Sequence, residues 1–132
     1  MARHNETGAF GEQLVREMFQ EAGLPVTESA IADVCIAGVD LEVKTARLSQ
    51  WYRDYRGYQF SLEREGHSSL TADVLVLVAL DEVAGQAVFF VIPAAAVEGQ
   101  RKLTVPSPDP LAYGGKWAEW RGRWDVIAEM AG

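Results

Sequence analysis

The sequence predicts an α/β fold in which helices flank a mixed central β-sheet, and three observations favour this class. An N-terminal and a C-terminal segment repeat apolar residues at helical spacing. Residues 30–46 alternate polar and apolar side chains in two short runs, the pattern of a β-hairpin. Residues 72–80 and 86–92 are almost continuously apolar, which is typical of strands buried on both faces. No linker-like tract interrupts the 132 residues, so residues 1–132 are predicted to form a single domain.

The first predicted element is an amphipathic helix. Thr7 is its predicted N-cap, the last helical residue is near Ala22, and Gly23 ends it. At about 100° per residue, Glu12 lies at the margin of the apolar face. Glu12 can therefore either reach into a cleft or remain a solvated glutamate on the helix flank. The apolar face consists of Phe10, Leu14, Val15, Met18 and Phe19.

The hairpin at residues 30–46 follows a connector and separates its polar and apolar faces cleanly. Strand alternation places Asp40, Glu42 and Lys44 on one face, with apolar residues and one threonine on the other. A two-residue turn at 37–38 sets Asp33 directly opposite Glu42.

Directly opposed positions have Cβ atoms about 4.5 to 5.5 Å apart. Two carboxylates at about 5 Å repel each other by about 3 kcal/mol at an effective dielectric constant near 20. An ordinary surface hairpin has no reason to carry that cost. A bound divalent cation converts the repulsion between Asp33 and Glu42 into ligation.

The later pattern supplies the other strands and two further helices. Residues 47–57 mix arginines with aromatic side chains without a clean period, so a loop or a short irregular helix is predicted. The next run, YQFSLE, alternates and is predicted as a third strand. The elements predicted after the two apolar strands and their turn at 81–85 are a short helix over AAAVEG, the strand Lys102–Val105 and an amphipathic C-terminal helix with Trp117, Trp120, Trp124 and Ile127.

Composition and charge limit the classes of function. No apolar run approaches the roughly 20 residues of a membrane span, so a globular protein without a membrane partner is expected. Cys35 is the only cysteine, which excludes an intramolecular disulfide and favours a reducing, cytoplasmic location. The net charge of −7 argues against a protein that coats nucleic acid nonspecifically. Between residues 43 and 64, bases outnumber acids by five to two, which suits a few placed phosphate contacts.

The order of charged residues resembles the PD-(D/E)XK nuclease superfamily. In the run ADVCIAGVDLEVKTA, Asp33, Glu42 and Lys44 match the three signature positions. Glu12 and Gln59 match accessory positions found in several branches. The resemblance covers most of the chain, and the later apolar strands and tryptophan-rich end are similar to small endonuclease domains of Holliday-junction resolvases and PD-(D/E)XK homing endonucleases.

This resemblance implies a restriction-endonuclease-like fold and a DNA endonuclease that hydrolyses phosphodiester bonds with Mg²⁺ or Mn²⁺. It implies that Asp33 and Glu42 hold the metal, and that Lys44 orients the attacking water or stabilises the scissile phosphate. Glu12 would bind the metal directly or through water. Gln59 would position water or backbone.

Asp40 is an alternative metal ligand because it shares the strand face of Glu42. The length of the hairpin turn decides between the two candidates: a two-residue turn favours Asp33, whereas a three-residue loop brings Asp40 forward.

The basic, aromatic segment that follows Lys44 is expected to flank the active site. The predicted DNA-binding residues are Arg47, Trp51, Arg53 and Arg56. Because one domain carries one site, cutting both strands of a duplex requires a homodimer or a higher homo-oligomer. Two alternatives stay open: a noncatalytic module of the same fold that binds nucleic acid or protein, and a nuclease that acts on RNA or single strands.

Overall fold

A computed structural model describes residues 2–50, 55–62 and 71–131 of the chain. In this part of the chain, helices α1 (Ala2–Glu21) and α2 (Asp125–Ala131) lie at the two ends, and short 3₁₀ helices span Ala94–Val97 and Ala118–Trp120. The strands between them are β1 (Val26–Thr27), β2 (Val34–Ile36), β3 (Val39–Arg47), β4 (Ser49–Gln50), β5 (Arg56–Ser61), β6 (Val74–Asp81), β7 (Gln86–Pro93) and β8 (Lys102–Val105).

Five of these strands form the main sheet, in the order β1-β2-β3-β6-β7. Strands β3 and β6 are parallel, whereas the other neighbours are antiparallel. The predicted α/β class, with a mixed central sheet and flanking helices, is therefore confirmed. A second, three-stranded antiparallel sheet has the order β4-β5-β8.

The two faces of the main sheet are covered differently. Helices α1 and α2 pack on one face, and the second sheet packs on the other. Strand β6 is buried along its whole length because alternate residues enter each of the two cores, as its continuous apolar run predicts. Its residues on the helical face are Val74, Val76, Val78 and Leu80, and those facing the second sheet are Leu75, Leu77 and Ala79.

Residues 47–57 were predicted as a loop or irregular helix, and this prediction is wrong at both ends of the segment. Ser49 pairs with Gly57 and Gln50 with Arg56, so an antiparallel hairpin begins there. The run that begins at Tyr58 does form a strand, but it belongs to the second sheet. This sheet is possible because β3 continues into β4 after a single residue.

Helix α1 begins earlier than its capping pattern predicts. Thr7 lies inside the helix and is not its N-cap. The apolar face is narrower than predicted, because Val15 and Phe19 are buried whereas Phe10 and Met18 are 52% and 37% exposed. Leu24 N–H donates to the carbonyl of Phe19 just after the helix ends.

The continuous C-terminal helix predicted from tryptophan spacing is wrong. The chain leaves the 3₁₀ helix at Arg121, which forms an isolated antiparallel bridge with Phe90. Gly122 then donates its N–H to the carbonyl of Phe89 at 2.8 Å and has a φ of 68°, which a right-handed helix cannot contain. Trp124 packs between Phe19 of α1 and Phe89 of β7.

No helix in the described ranges has both the length and the apolar composition needed to cross a bilayer.

Candidate functional site

The hairpin of β2 and β3 has the predicted two-residue turn. Ile36 pairs with Val39, and Val34 pairs with Leu41. The turn residues, 37 and 38, both have positive φ angles, 50° and 87°. This is the requirement of a type I′ turn, whose twist matches that of the flanking strands.

Asp33 lies where the regular pairing of β2 ends. Its N–H donates to the carbonyl of Leu41 at 3.0 Å, although Leu41 is already the partner of Val34. Two residues facing one is the arrangement of a β-bulge, so the prediction that Asp33 lies directly opposite Glu42 is wrong. The Asp33 carboxylate then takes the place of a backbone acceptor, because the N–H of Val43 donates to Asp33 Oδ2 at 2.8 Å. This contact holds the carboxylate against β3 at the residue between Glu42 and Lys44.

Glu42 and Lys44 form an ion pair on one face of β3. Lys44 Nζ lies 3.2 Å from Glu42 Oε2, and the two side chains are 23% and 3% exposed. Burial of a carboxylate is costly unless a cation or hydrogen-bond donors compensate for the lost water. Lys44 therefore supplies a positive charge next to the Glu42 carboxylate, which bulk solvent barely reaches.

Asp40, the alternative ligand, is engaged elsewhere. Ser29 Oγ donates to Asp40 Oδ1 at 2.7 Å, and the same hydroxyl accepts the N–H groups of Ile31 and Ala32. Asp40 N–H also donates to the carboxylate of Asp73, at the entry to β6. Asp40 thus supports the turn that leads into Asp33.

Glu12 projects from α1 toward Arg16, one helical turn further on. Arg16 Nη2 lies 3.4 Å from Glu12 Oε1 and donates to the backbone carbonyl of Asp33 at 3.0 Å. The same nitrogen also lies 3.4 Å from Glu28 Oε2. Arg16 consequently connects the predicted Glu12 position to the Asp33 bulge.

Gln59 is not brought to the hairpin acids. It pairs with Thr104 in the second sheet, on the strand face opposite Tyr58 and Phe60, which fill the core between the sheets. Its side chain therefore points away from the main sheet. In the described residues its amide makes no side-chain hydrogen bond, and its accessory role stays a prediction.

The predicted DNA-binding residues differ in their surroundings. Arg47 forms an ion pair with Glu82, and its Nε donates to Thr7 Oγ1 at 3.1 Å. Arg56 is exposed at the start of β5. Trp51 and Arg53 lie outside the described residues.

The donors around β3 fit a hard divalent cation in number and kind. Mg²⁺ is usually held by one or two carboxylates, with water or substrate oxygens completing the shell. Asp33 and Glu42 are such a pair. Glu42 is a residue of β3, and the Asp33 carboxylate accepts the N–H of the next residue, Val43. Within the part of the chain that is described, no three acidic, histidine or cysteine side chains converge on one metal position. Glu12 is therefore not joined to Asp33 and Glu42 in a three-ligand cluster.

Comparison with known proteins adds evidence on the fold. No protein-family profile matches the chain, and no curated protein matches it in sequence. Among solved structures, it matches the bacterial homing endonuclease I-Ssp6803I with a TM-score of 0.70. The chain is similar in fold to that endonuclease. The match covers 95% of this chain and 91% of the other at 15% sequence identity, so the likeness is one of architecture.

Sequence reasoning missed Arg16 and Ser29 as parts of this site. The spacing of Glu12 and Arg16, four residues on a helix, was a signal for an ion pair between them. Contact of Arg16 with Asp33 had no such signal, because it depends on how α1 packs against the hairpin.

Proposed function

We propose that this protein is a metal-dependent DNA endonuclease with a PD-(D/E)XK site. The observation that carries the proposal is the arrangement on β3, where the Asp33 carboxylate is bound to the Val43 N–H and the buried Glu42 is paired with Lys44. Glu42 and Lys44 belong to β3, and the Asp33 carboxylate is hydrogen-bonded to the residue between them. The similarity in fold to a bacterial homing endonuclease supports an endonuclease.

Asp33 and Glu42 are the residues that would hold Mg²⁺ or Mn²⁺. When bound, the metal supplies an activated water and neutralises charge that develops on the phosphate. Lys44 contributes a second cation on the same strand face as Glu42, suited to contact a phosphate oxygen or to orient the attacking water. The exposed Arg56 is available for a phosphate contact that sets the register of the DNA.

The described residues of one chain supply one such site. Because the two strands of a duplex run antiparallel, cutting both requires two sites related by a two-fold axis. We therefore propose that the active form is a homodimer or a higher homo-oligomer of the chain.

The test is cleavage of supercoiled plasmid, linear duplex, single-stranded DNA, RNA and a four-way junction, each with Mg²⁺ or EDTA. The proposal expects Mg²⁺-dependent cleavage of at least one DNA duplex substrate. Absence of cleavage together with absence of Mg²⁺ binding by calorimetry would refute it and favour a noncatalytic binding module. Cleavage restricted to RNA or single strands would change the substrate class.

Matched variants then assign the roles. Asp33→Asn retains an oxygen that can accept the Val43 N–H but lacks the charge, and should abolish Mg²⁺ binding and cleavage. Asp40→Asn retains the acceptor for Ser29, and should leave Mg²⁺ affinity within about threefold of the parent because Asp40 is outside the metal shell. Lys44→Ala should abolish turnover while Mg²⁺ still binds. Equal activity of all three variants would place the site elsewhere.

A further inference from the structure

Arg16 lies on α1. Among the described side chains, it is the one that links this helix to the Asp33 bulge by a hydrogen bond. Its side chain is 19% exposed, more buried than the side chains of its acidic partners, Glu12 at 33% and Glu28 at 86%. The shortest of its contacts is the hydrogen bond to the Asp33 carbonyl, at 3.0 Å. A partly buried cation of this kind is held in place by several acceptors at once.

The Asp33 bulge needs support because regular pairing stops at Val34. On its N-terminal side, the turn is held by Ser29 and by Thr71 Oγ1, which donates to the Ile31 carbonyl at 2.9 Å. On its C-terminal side, Arg16 holds the carbonyl of Asp33 itself. Rotation of that peptide group would carry the Asp33 carboxylate away from the Val43 N–H.

We infer that Arg16 is a positioning residue that fixes the Asp33 peptide, and that Glu12 acts through Arg16 and is not a metal ligand. The inference rests on the proposed function for the catalytic meaning of Asp33. Two observations support the part that concerns Glu12: its carboxylate faces the Arg16 guanidinium, and it belongs to no three-ligand group in the described chain. Glu12 thus balances the charge of Arg16 and orients its guanidinium.

The first experiment measures amide hydrogen exchange at Val43 by NMR, without metal or DNA. Arg16→Met removes the donors and keeps an apolar stem, and should speed exchange at Val43 about tenfold, the effect of losing one typical hydrogen bond. Arg16→Lys retains a cation that can reach the Asp33 carbonyl, and should restore most of the protection. Arg123→Met, at an exposed arginine paired with Asp125, is the control and should leave Val43 unchanged. Unchanged Val43 exchange in both Arg16 variants would overturn the positioning role.

The second experiment is a double-mutant cycle of Glu12→Gln and Arg16→Met, read out as Mg²⁺ affinity by calorimetry and as the Mg²⁺ concentration for half-maximal cleavage. Arg16→Met should weaken Mg²⁺ binding by about tenfold or more, the usual effect of losing an outer-shell partner. Glu12→Gln should weaken it less in the parent and not at all in the Arg16→Met background. Equal weakening in both backgrounds would identify Glu12 as a direct ligand and overturn its assignment here.

The two experiments separate the failure of each idea. A parent protein that neither binds Mg²⁺ nor cuts DNA refutes the proposed nuclease function, while the exchange rate at Val43 still decides whether Arg16 positions Asp33.

Discussion

Removal of the Lys44 charge should destabilise the protein because it takes an ion-pair partner away from the buried Glu42 carboxylate. The charged atoms lie 3.2 Å apart, and the Glu42 side chain is only 3% exposed. At that separation two unit charges attract by about 5 kcal/mol at an effective dielectric constant near 20. Lys44 keeps 23% of its side-chain exposure, so solvent screens part of this attraction. We expect Lys44→Met to lower the free energy of unfolding by about 2–3 kcal/mol, just below the range for breaking a fully buried pair.

Urea denaturation at pH 7 without divalent metal measures this loss. The control is Arg123→Met, which breaks an ion pair of 2.8 Å whose side chains are 42% and 50% exposed, and which should cost much less because solvent screens an exposed pair. Glu42→Gln combined with Lys44→Met should recover about half of the loss, because the buried group is then neutral. If Lys44→Met costs no more than the control, the Glu42 carboxylate does not depend on Lys44 and the reasoning fails.

Four further variants test features other than this ion pair. Burial, reinforced by nearby carboxylates, raises the pKa of Tyr58 from 10.0 to about 12, so the folded state holds the phenol proton more tightly than the unfolded state. Stability should therefore be unaffected by this group below pH 10 and fall between pH 10 and 12, and Tyr58→Phe should flatten that fall in urea midpoints. Gly11→Ala would place a Cβ atom 1.8 Å from Thr45 Oγ1, and should cost about 1–3 kcal/mol in thermal unfolding. Gly8→Ala, with no atom within 4 Å, should instead stabilise α1 by about 0.5–1 kcal/mol. Arg56→Ala should reduce the slope of log Kd against log salt for duplex DNA by about 1, and an unchanged slope would exclude a phosphate contact there.

The hairpin could be predicted from sequence because its determinants are local. Alternation defines which face each residue occupies, and the two residues between the apolar runs allow a tight turn. The two long apolar strands could be predicted for the same reason, since a run without polar interruption fits only an element buried on both faces.

The surroundings of Glu42 could not be predicted in this way. Its burial depends on β6, which pairs Leu75 with Glu42 in parallel, and on the second sheet, which covers the same face of the main sheet. Strand β6 and most of the second sheet are formed by residues distant from Glu42 in the sequence. The break at Gly122 has a similar origin, because the bridge between Arg121 and Phe90 competes with helical hydrogen bonds that the tryptophan spacing alone would favour.

The choice between Asp33 and Asp40 depends on the turn and on Ser29. The sequence could state that a two-residue turn favours Asp33, and the turn has that length. It could not show that Asp40 accepts a hydrogen bond from Ser29, since the connector carries no periodic pattern. A similar limit applies to Arg16, whose contact with the Asp33 carbonyl spans two elements.

The turn itself contains a residue poorly suited to it. Ala37 has a φ of 50°, a left-handed conformation that costs an L-residue other than glycine about 1–2 kcal/mol. A one-residue slip in register would relieve that strain, but it would move every side chain of one strand to the opposite face. Val39 and Leu41 of β3 are 2% and 0% exposed, and displacing two such side chains into water costs about 3–6 kcal/mol. The apolar contacts on the helical face thus outweigh the strain of the turn, and the placement of the acids is enforced by a core that takes no part in their chemistry.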